Sequence, residues 1–241
     1  MHKKHISFIL FLILLSLPVS VYSQTLAEIL SQHAHATGFS NRMKIKTLTS
    51  IGTITQMGAA LPISIIQKRP NKYRFDVHLD DGRITQAYDG VIGWSYNPYS
   101  SLDTIQLTGA ELAQIRESAD FDGILHTYRT KGYTISLMGK VAVGLHSAYK
   151  IQIKKQSGEV LYFFIDSLSY LVIKTEANLL VNKMPYVAES TFGDYRKAGG
   201  ITVPFFIQSK NGTLITELRI STIRINEPME DYYFSCRRLT N

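Results

Sequence analysis

A mainly β fold, with an antiparallel sheet large enough to curl into a barrel or half-barrel, is what this 241-residue sequence predicts. Three observations carry the expectation. Short runs rich in Ile, Val, Thr and Tyr follow one another from Lys44 almost to the end. Gly, Pro, Asn and Asp separate those runs, several times as Asp-Gly or Asn-Pro pairs that favour tight turns. Helical spacing is confined to two stretches, one near the start of the mature chain and one in the middle.

The first element has the pattern of an export leader. His2, Lys3, Lys4 and His5 form a basic start, and Ile6 to Leu17 is apolar apart from Ser7 and Ser16. That run is well short of the roughly 20 residues a membrane-crossing helix needs. Pro18 ends it, and Val21-Tyr22-Ser23 offers small residues where a signal peptidase reads, so residues 1–23 are expected to leave by cleavage at Ser23/Gln24. No Cys follows the run, which removes the acceptor for lipid attachment at the new N-terminus. The expected product, residues 24–241, is a single exported domain.

The mature chain opens with a helix. Leu26, Ile29, Leu30 and His33 recur at spacings of three and four, Ala34 and Thr37 extend the stripe, and Gly38 is a natural stop. A helix this short needs a surface to lie on. The period then changes, and strands are expected at Leu48 to Gln56, Pro62 to Lys68, Tyr73 to Leu79, Arg83 to Asp89 and Gly93 to Asn97. Asp80-Asp81-Gly82, Asp89-Gly90 and Asn97-Pro98 mark the turns, and links so short make sequential strands antiparallel neighbours.

Leu107 to Phe121 interrupts this meander with helical spacing. Thr108 and Glu111 have the capping-box pattern, and Leu112, Ile115 and Ala119 share a face. Such a helix is a candidate to cover one face of a large curved sheet. Strands resume at Tyr133 to Lys140, Ala148 to Lys154, Val160 to Ile165, Leu171 to Ala177, Val187 to Tyr195, Val203 to Lys210 and Leu214 to Ile225. Lys155 to Glu159, Asp166 to Tyr170 and Gly199-Gly200 read as hairpin turns. The inward candidates are large and apolar: Tyr73, Phe75, Trp94, Tyr96, Tyr149, Tyr162, Phe164 and Ile173 among them. A solid core and a hollow apolar interior fit this composition equally well.

Composition narrows the function. The net charge of +7 includes Lys3 and Lys4, which leave with the leader, and the remaining basic residues are scattered, so neither a nucleic-acid stripe nor a strongly anionic partner is expected. With Cys236 as the single cysteine, no intrachain disulfide can form and the apolar core must hold the fold. Exported and without disulfides, the chain suits a bacterial envelope compartment. Asn211-Gly212-Thr213 is then a chance match to a glycosylation pattern.

Signs of chemistry are sparse. His33 and His35 lie two apart on a helix and point apart, while His78, His126 and His146 have no acidic or Cys neighbour at ligand spacing and are expected on surfaces. There is no Gly-x-Ser-x-Gly elbow, no His-Glu-x-x-His and no phosphate-binding glycine loop. Neither catalytic residues, metal nor cofactor are expected, and the chain is read as a non-enzyme.

Two segments carry more than composition. Lys68-Arg69-Pro70-Asn71-Lys72-Tyr73-Arg74-Phe75, and then Tyr88-Asp89-Gly90-Val91-Ile92-Gly93-Trp94-Ser95-Tyr96-Asn97-Pro98, resemble the N-terminal half of the periplasmic lipoprotein carriers, the outer-membrane lipoprotein-sorting superfamily. There a strand ends in Arg-Pro, another follows, and an Asp-Gly turn leads to Trp, an aromatic residue and Asn-Pro. The likeness is clear over about Gln24 to Tyr99, and the divergent second half looks like longer relatives from the Bacteroidetes envelope.

The resemblance implies an unclosed β-barrel around an apolar cavity, lidded by helices, that shelters lipoprotein acyl chains in the periplasm for delivery to the outer membrane. It implies a lid-latching role for Arg69 and cavity-lining positions at or near Ile65, Phe75, Trp94 and Tyr96. Leu26, Ile29 and Leu30 on the first helix, and Leu112 and Ile115 on the middle one, are the lid candidates. Implied partners are lipid or lipoprotein acyl chains and transfer proteins of the two membranes, with the carrier a monomer. A lipid-binding or sensing module of the same fold with another cargo is the alternative.

Overall fold

The computed structural model describes residues 24–101, 103–181 and 184–236, so the expected leader lies outside the described residues. Helix α1 (Leu26–Thr37) leads through Gly38 into a single turn, α2 (Phe39–Arg42). A meander follows: β1 (Thr47–Gln56), β2 (Ala59–Lys68), β3 (Lys72–Leu79), β4 (Gly82–Tyr88), β5 (Gly93–Tyr96) and β6 (Ile105–Gln106). Helices α3 (Gly109–Ser118) and α4 (Ile124–Thr127) separate it from a second meander. That one comprises β7 (Thr134–Val143), β8 (His146–Lys154), β9 (Val160–Asp166), β10 (Val172–Val181), β11 (Met184–Ala198), β12 (Ile201–Asn211) and β13 (Leu214–Ile225).

All the strands join one 13-stranded sheet in the order β6-β5-β4-β3-β2-β1-β13-β12-β11-β10-β9-β8-β7. The pairs are antiparallel, and β6 and β7 stay unjoined, so the barrel is not closed. The expected mainly β, unclosed half-barrel is therefore the fold. The two meanders are hydrogen-bonded to each other along β1 and β13, where a bulge at Ile51/Gly52 bends the sheet. Gly52 is needed there, since a Cβ would lie 2.1 Å from the Arg219 carbonyl oxygen.

Both long helices lie on one face of the sheet. α1 is held at its start by a reciprocal capping box between Thr25 and Glu28, which the sequence reading passed over, and at its end by Gly38 in the left-handed region at φ 69°. Its Leu26, Ile29 and Leu30 pack with Tyr149, Ile151, Ile153, Phe163 and Ile165 of β8 and β9. α3 covers the other end, where Leu112, Ile115 and Ala119 meet Tyr73 and Tyr88. The expected capping box at its start is absent: Thr108 holds the N-cap position, but its side chain makes no capping hydrogen bond. Gly93 lies under α3, and a Cβ there would come within 2.9 Å of Leu112, so the missing side chain lets the helix seat closely.

The opposite face of β3 to β5 is covered by the C-terminal segment. Trp94 Nε1 donates to the Phe234 carbonyl at 2.7 Å, and Arg74 donates to the Tyr233 carbonyl at 2.6 Å. Buried Arg74 is balanced by buried Asp76 at 2.7 Å, whose second oxygen accepts from Thr85. Phe234 is fully buried, and Cys236 packs with Ala87 and Trp94.

Candidate functional site

The helix-bearing face is the concave one, and strand register assigns each side chain to it or to its back. Ile63 pairs with Val77, Ile65 with Phe75 and Gln67 with Tyr73, which places these residues on a common face. Across β1 and β13 that face continues through Leu48, Ile54, Leu218 and Ile225. It continues through Ile207 on β12 and reappears as Tyr149, Ile151, Leu161 and Phe163 on β8 and β9.

Of the expected lining residues, Ile65, Tyr73, Phe75 and Tyr149 stand on the concave face. Burial pushes the Tyr73 hydroxyl up to about 12, so it stays protonated. Four other expectations are corrected. Trp94 pairs with Ala87 and Tyr96 with Thr85, which puts both on the convex face beneath the C-terminal segment. Tyr162 and Phe164 pair with Gln152 and Lys150 and also face outward, where Lys150 lies over both rings and Lys174 over that of Phe164. Ile173 falls at the irregularity between Val172 and Lys174, and its neighbour Val172 is the residue that joins the α1 cluster.

Among the described residues, two cavities and a smaller one beside Glu117 and Tyr133 lie between the helices and the concave face. One, of about 310 Å³ and mainly apolar, is bounded by α1, α4 and β9 to β12, with Phe163, Val172, Phe192 and Val203 in its wall. The other, of about 370 Å³ and of mixed lining, lies under α3 between Ile65, Phe75, Ile207 and Leu218 on the sheet and Glu111, Gln114 and Ile115 on the helix. Each is near the lower end of ligand-pocket volumes, roughly 300–1,000 Å³.

The segment from Ala119 to Leu125 crosses the middle of the concave face, and its Phe121 is buried in the central cluster with Ile45, Leu48 and Val203. Two arginines hold it there. Arg42, at the end of α2, donates to the Phe121 carbonyl at 2.9 Å. Arg69, at the end of β2, grips Asp122 with both terminal nitrogens at 2.9 and 2.5 Å and stacks its guanidinium 4.5 Å from the centre of the Phe121 ring. The same guanidinium donates to the carbonyls of Ile45 and Arg42 at 2.8 and 3.0 Å. A rigid fork with five donors suits such a junction, and a lysine could not bridge all four acceptors. Arg69 thus ties the exit of α2 to the segment joining α3 and α4. Gln67 extends the tie by donating to the Ser118 carbonyl at 2.9 Å.

Two histidines, His126 and His146, differ from expectation, whereas His33 follows the apolar stripe of α1 inward and His78 is exposed. His33 is buried and donates from Nδ1 to the Tyr170 carbonyl at 2.8 Å. His126 is on α4, not an exposed surface, stacked 3.8 Å from the ring of Phe39 and 5.5 Å from that of His33. Burial, with His33 and Arg42 beside it, lowers His126 to about 4. His146 has an acidic partner after all, Asp166 at 3.2 Å across a hairpin end. Among the described residues no group of three or more His, Cys, Asp or Glu side chains could hold a metal ion.

The chain shares its fold with a LolA superfamily protein from Nitrosomonas europaea, with a TM-score of 0.61 and 12% identity over 90% of this chain and 100% of that one. An outer membrane lipoprotein-sorting protein domain from Vibrio parahaemolyticus superposes with a TM-score of 0.57 at 12% identity, covering 86% and 94%. A DUF1329 family protein from Desulfovibrio piger gives 0.55 at 14% identity, covering 88% and 99%. No protein-family model matches the chain. A sequence comparison with characterised proteins finds no match.

Proposed function

We propose that this protein is a periplasmic carrier that shelters the acyl chains of lipoproteins, or of a similar amphiphile, between its helices and its concave face, and hands them on toward the outer membrane without making or breaking a covalent bond. The observation that carries this reading is the apolar concave face roofed at both ends by helices, with a cavity under each. Each methylene moved from water into such a space is worth about 0.8 kcal/mol, so a long acyl chain needs little else to bind. The cavities are small because Phe121 fills the space between them. Arg69 is proposed as the latch, since release of Asp122 would free the crossing segment and let the cavities merge around a chain. The cost of breaking that contact then offsets part of the burial energy and keeps the cargo releasable.

On the same reading residues 24–241 form one domain that works as a monomer, exported behind a leader and free of metal and cofactor. Loading and receiving proteins at the two membranes are its proposed partners.

The test is native mass spectrometry of the mature protein purified from its envelope, followed by lipid extraction. A stoichiometric lipid or acylated peptide is expected. A clean apo mass that also rejects added fatty acid would sink the carrier reading.

A further inference from the structure

A charge set in a mainly apolar wall needs a counter-charge, and the cavity beside α1 holds one that lacks it. Arg42, Asp120 and Asp122 stand in that wall. Both carboxylates are committed: Arg69 grips Asp122, while Lys131 and the Thr127 hydroxyl donate to Asp120 at 2.5 and 2.8 Å. Half-buried Arg42 spends Nη1 on the Phe121 carbonyl. Among the described residues no carboxylate lies within 4.0 Å of its guanidinium, and no hydrogen bond takes up its Nε or Nη2. Burial pushes Arg42 below the ordinary arginine range, and the pull of Asp122 and Asp120 does not undo this against the charge of Arg69.

His126, in the same wall, adds a spare donor. Its ring stacks on those of Phe39 and His33, and among the described residues neither of its ring nitrogens has a hydrogen-bond partner. A neutral imidazole carries one N–H, which an anion held at Arg42 could accept. The cavity under α3 has the reverse character, since Glu111 is in its lining and no Lys or Arg is. An anion therefore finds a partner beside α1 and like charge under α3.

Volume sets the length of the apolar part. A cavity of roughly 150 Å³ with an aliphatic and aromatic lining binds benzene, a molecule of six carbons. At about 310 Å³ the cavity beside α1 has twice that space, enough for about twelve carbons. That is one chain and not a bundle of several.

We infer that the cavity beside α1 is a seat for a single-chain carboxylate amphiphile, a fatty acid of about twelve carbons, with its carboxylate on Arg42 and His126 and its chain along Phe163, Val172, Phe192 and Val203. The inference rests on the carrier reading and narrows it to the ligand class that fits while Arg69 still holds Asp122. Isothermal titration of the mature protein at mildly alkaline pH compares dodecanoate with dodecanol, which has the same chain and no charge. The wild type is expected to bind dodecanoate at least tenfold more tightly than dodecanol, a comparison that needs no variant to fold. Arg42→Gln should bring the two affinities within twofold of each other, and Arg42→Lys, which keeps the charge, should keep the preference for dodecanoate. A wild type that binds the two equally, or an Arg42→Gln protein that still prefers dodecanoate, overturns the carboxylate seat and leaves the carrier reading standing. Binding of neither compound by the wild type overturns the carrier reading as well.

Discussion

Arg69 and Asp122 meet fork to fork, two charge-assisted hydrogen bonds of 2.9 and 2.5 Å joining residues 53 positions apart in the chain. Because Arg69 also holds the carbonyls of Arg42 and Ile45, one guanidinium fixes the exit of α2 and the segment between α3 and α4 together. Each side chain is about a quarter or a fifth exposed, 24% and 20%, so the pair is neither a solvated surface bridge nor a sealed one.

Arg69→Ala is expected to destabilise the protein by about 1–3 kcal/mol, since it leaves a half-buried carboxylate and two carbonyls short of donors. The larger effect should be local. Amide exchange over residues 109–127 is expected to quicken well beyond the global change, and fatty-acid release to become slower as the closed form loses its advantage. Uniform exchange with unchanged release would refute the latch.

The histidine stack predicts an acid sensitivity. Burial first, then His33 and Arg42, hold His126 at about 4 against its usual 6.5, and burial lowers His33 too. Above pH 6.5 these imidazoles are neutral whether the chain is folded or not, and their burial is uncontested. Between 6.5 and about 4 the unfolded chain binds protons that the folded chain refuses, so stability falls as the pH drops. His126→Phe preserves a ring against Phe39 and should flatten the decline in urea midpoint across that window. Parallel declines in the two proteins would show that another group is responsible.

Adjacent residues of β9 separate the two faces. Phe163 lines the α1 cavity and Tyr162 faces outward under Lys150. Phe163→Gln should weaken fatty-acid binding tenfold or more, whereas Tyr162→Gln should leave it within twofold. Equal losses would mean that cargo does not enter this cavity.

The lone tryptophan reports on the C-terminal cover. Truncating fully buried Phe234 to Ala is expected to cost about 3–5 kcal/mol. Trp94, whose indole donates to the Phe234 carbonyl, should shift its emission to the red. Unshifted emission would mean that the segment stays seated without its anchor.

The strand pattern was legible because turn chemistry punctuates it. Asp89 accepts from the Val91 and Ile92 amides, and Asn97 accepts from Tyr99, as their residue types suggest. Which face a strand turns inward was legible only where polar residues mark the phase. Lys72-Tyr73-Arg74-Phe75-Asp76-Val77-His78-Leu79 alternates openly, and Tyr73 and Phe75 fall inside. β9 is apolar from Val160 to Ile165, so nothing in it tells Phe163 from Phe164. A shift of one residue exchanges the faces. Trp94 and Tyr96 misled for a different reason: the surface that buries them comes from the C-terminal segment, 140 residues away for the Trp94 contact, and no local window contains it. The Arg69 junction is equally non-local, and only the resemblance to the carriers drew attention to that position. The two capping patterns show the limit of motifs, since Thr25 caps its helix and Thr108 does not.

The seam between β1 and β13 gives the chain a schedule. Ser221 reaches the carbonyl of Ile51, 170 positions away in the chain, whereas hairpin links join the other neighbouring strands within each meander. Local hairpins form quickly and long-range pairings late, so each meander can assemble before the seam closes. During synthesis β1 emerges early and its partner is the last strand made. Until then one side of β1 offers an open ladder of amides and carbonyls to any passing strand, itself a hazard for aggregation. A chain truncated just before Leu214 therefore leaves two half-sheets with raw edges in place of one continuous sheet.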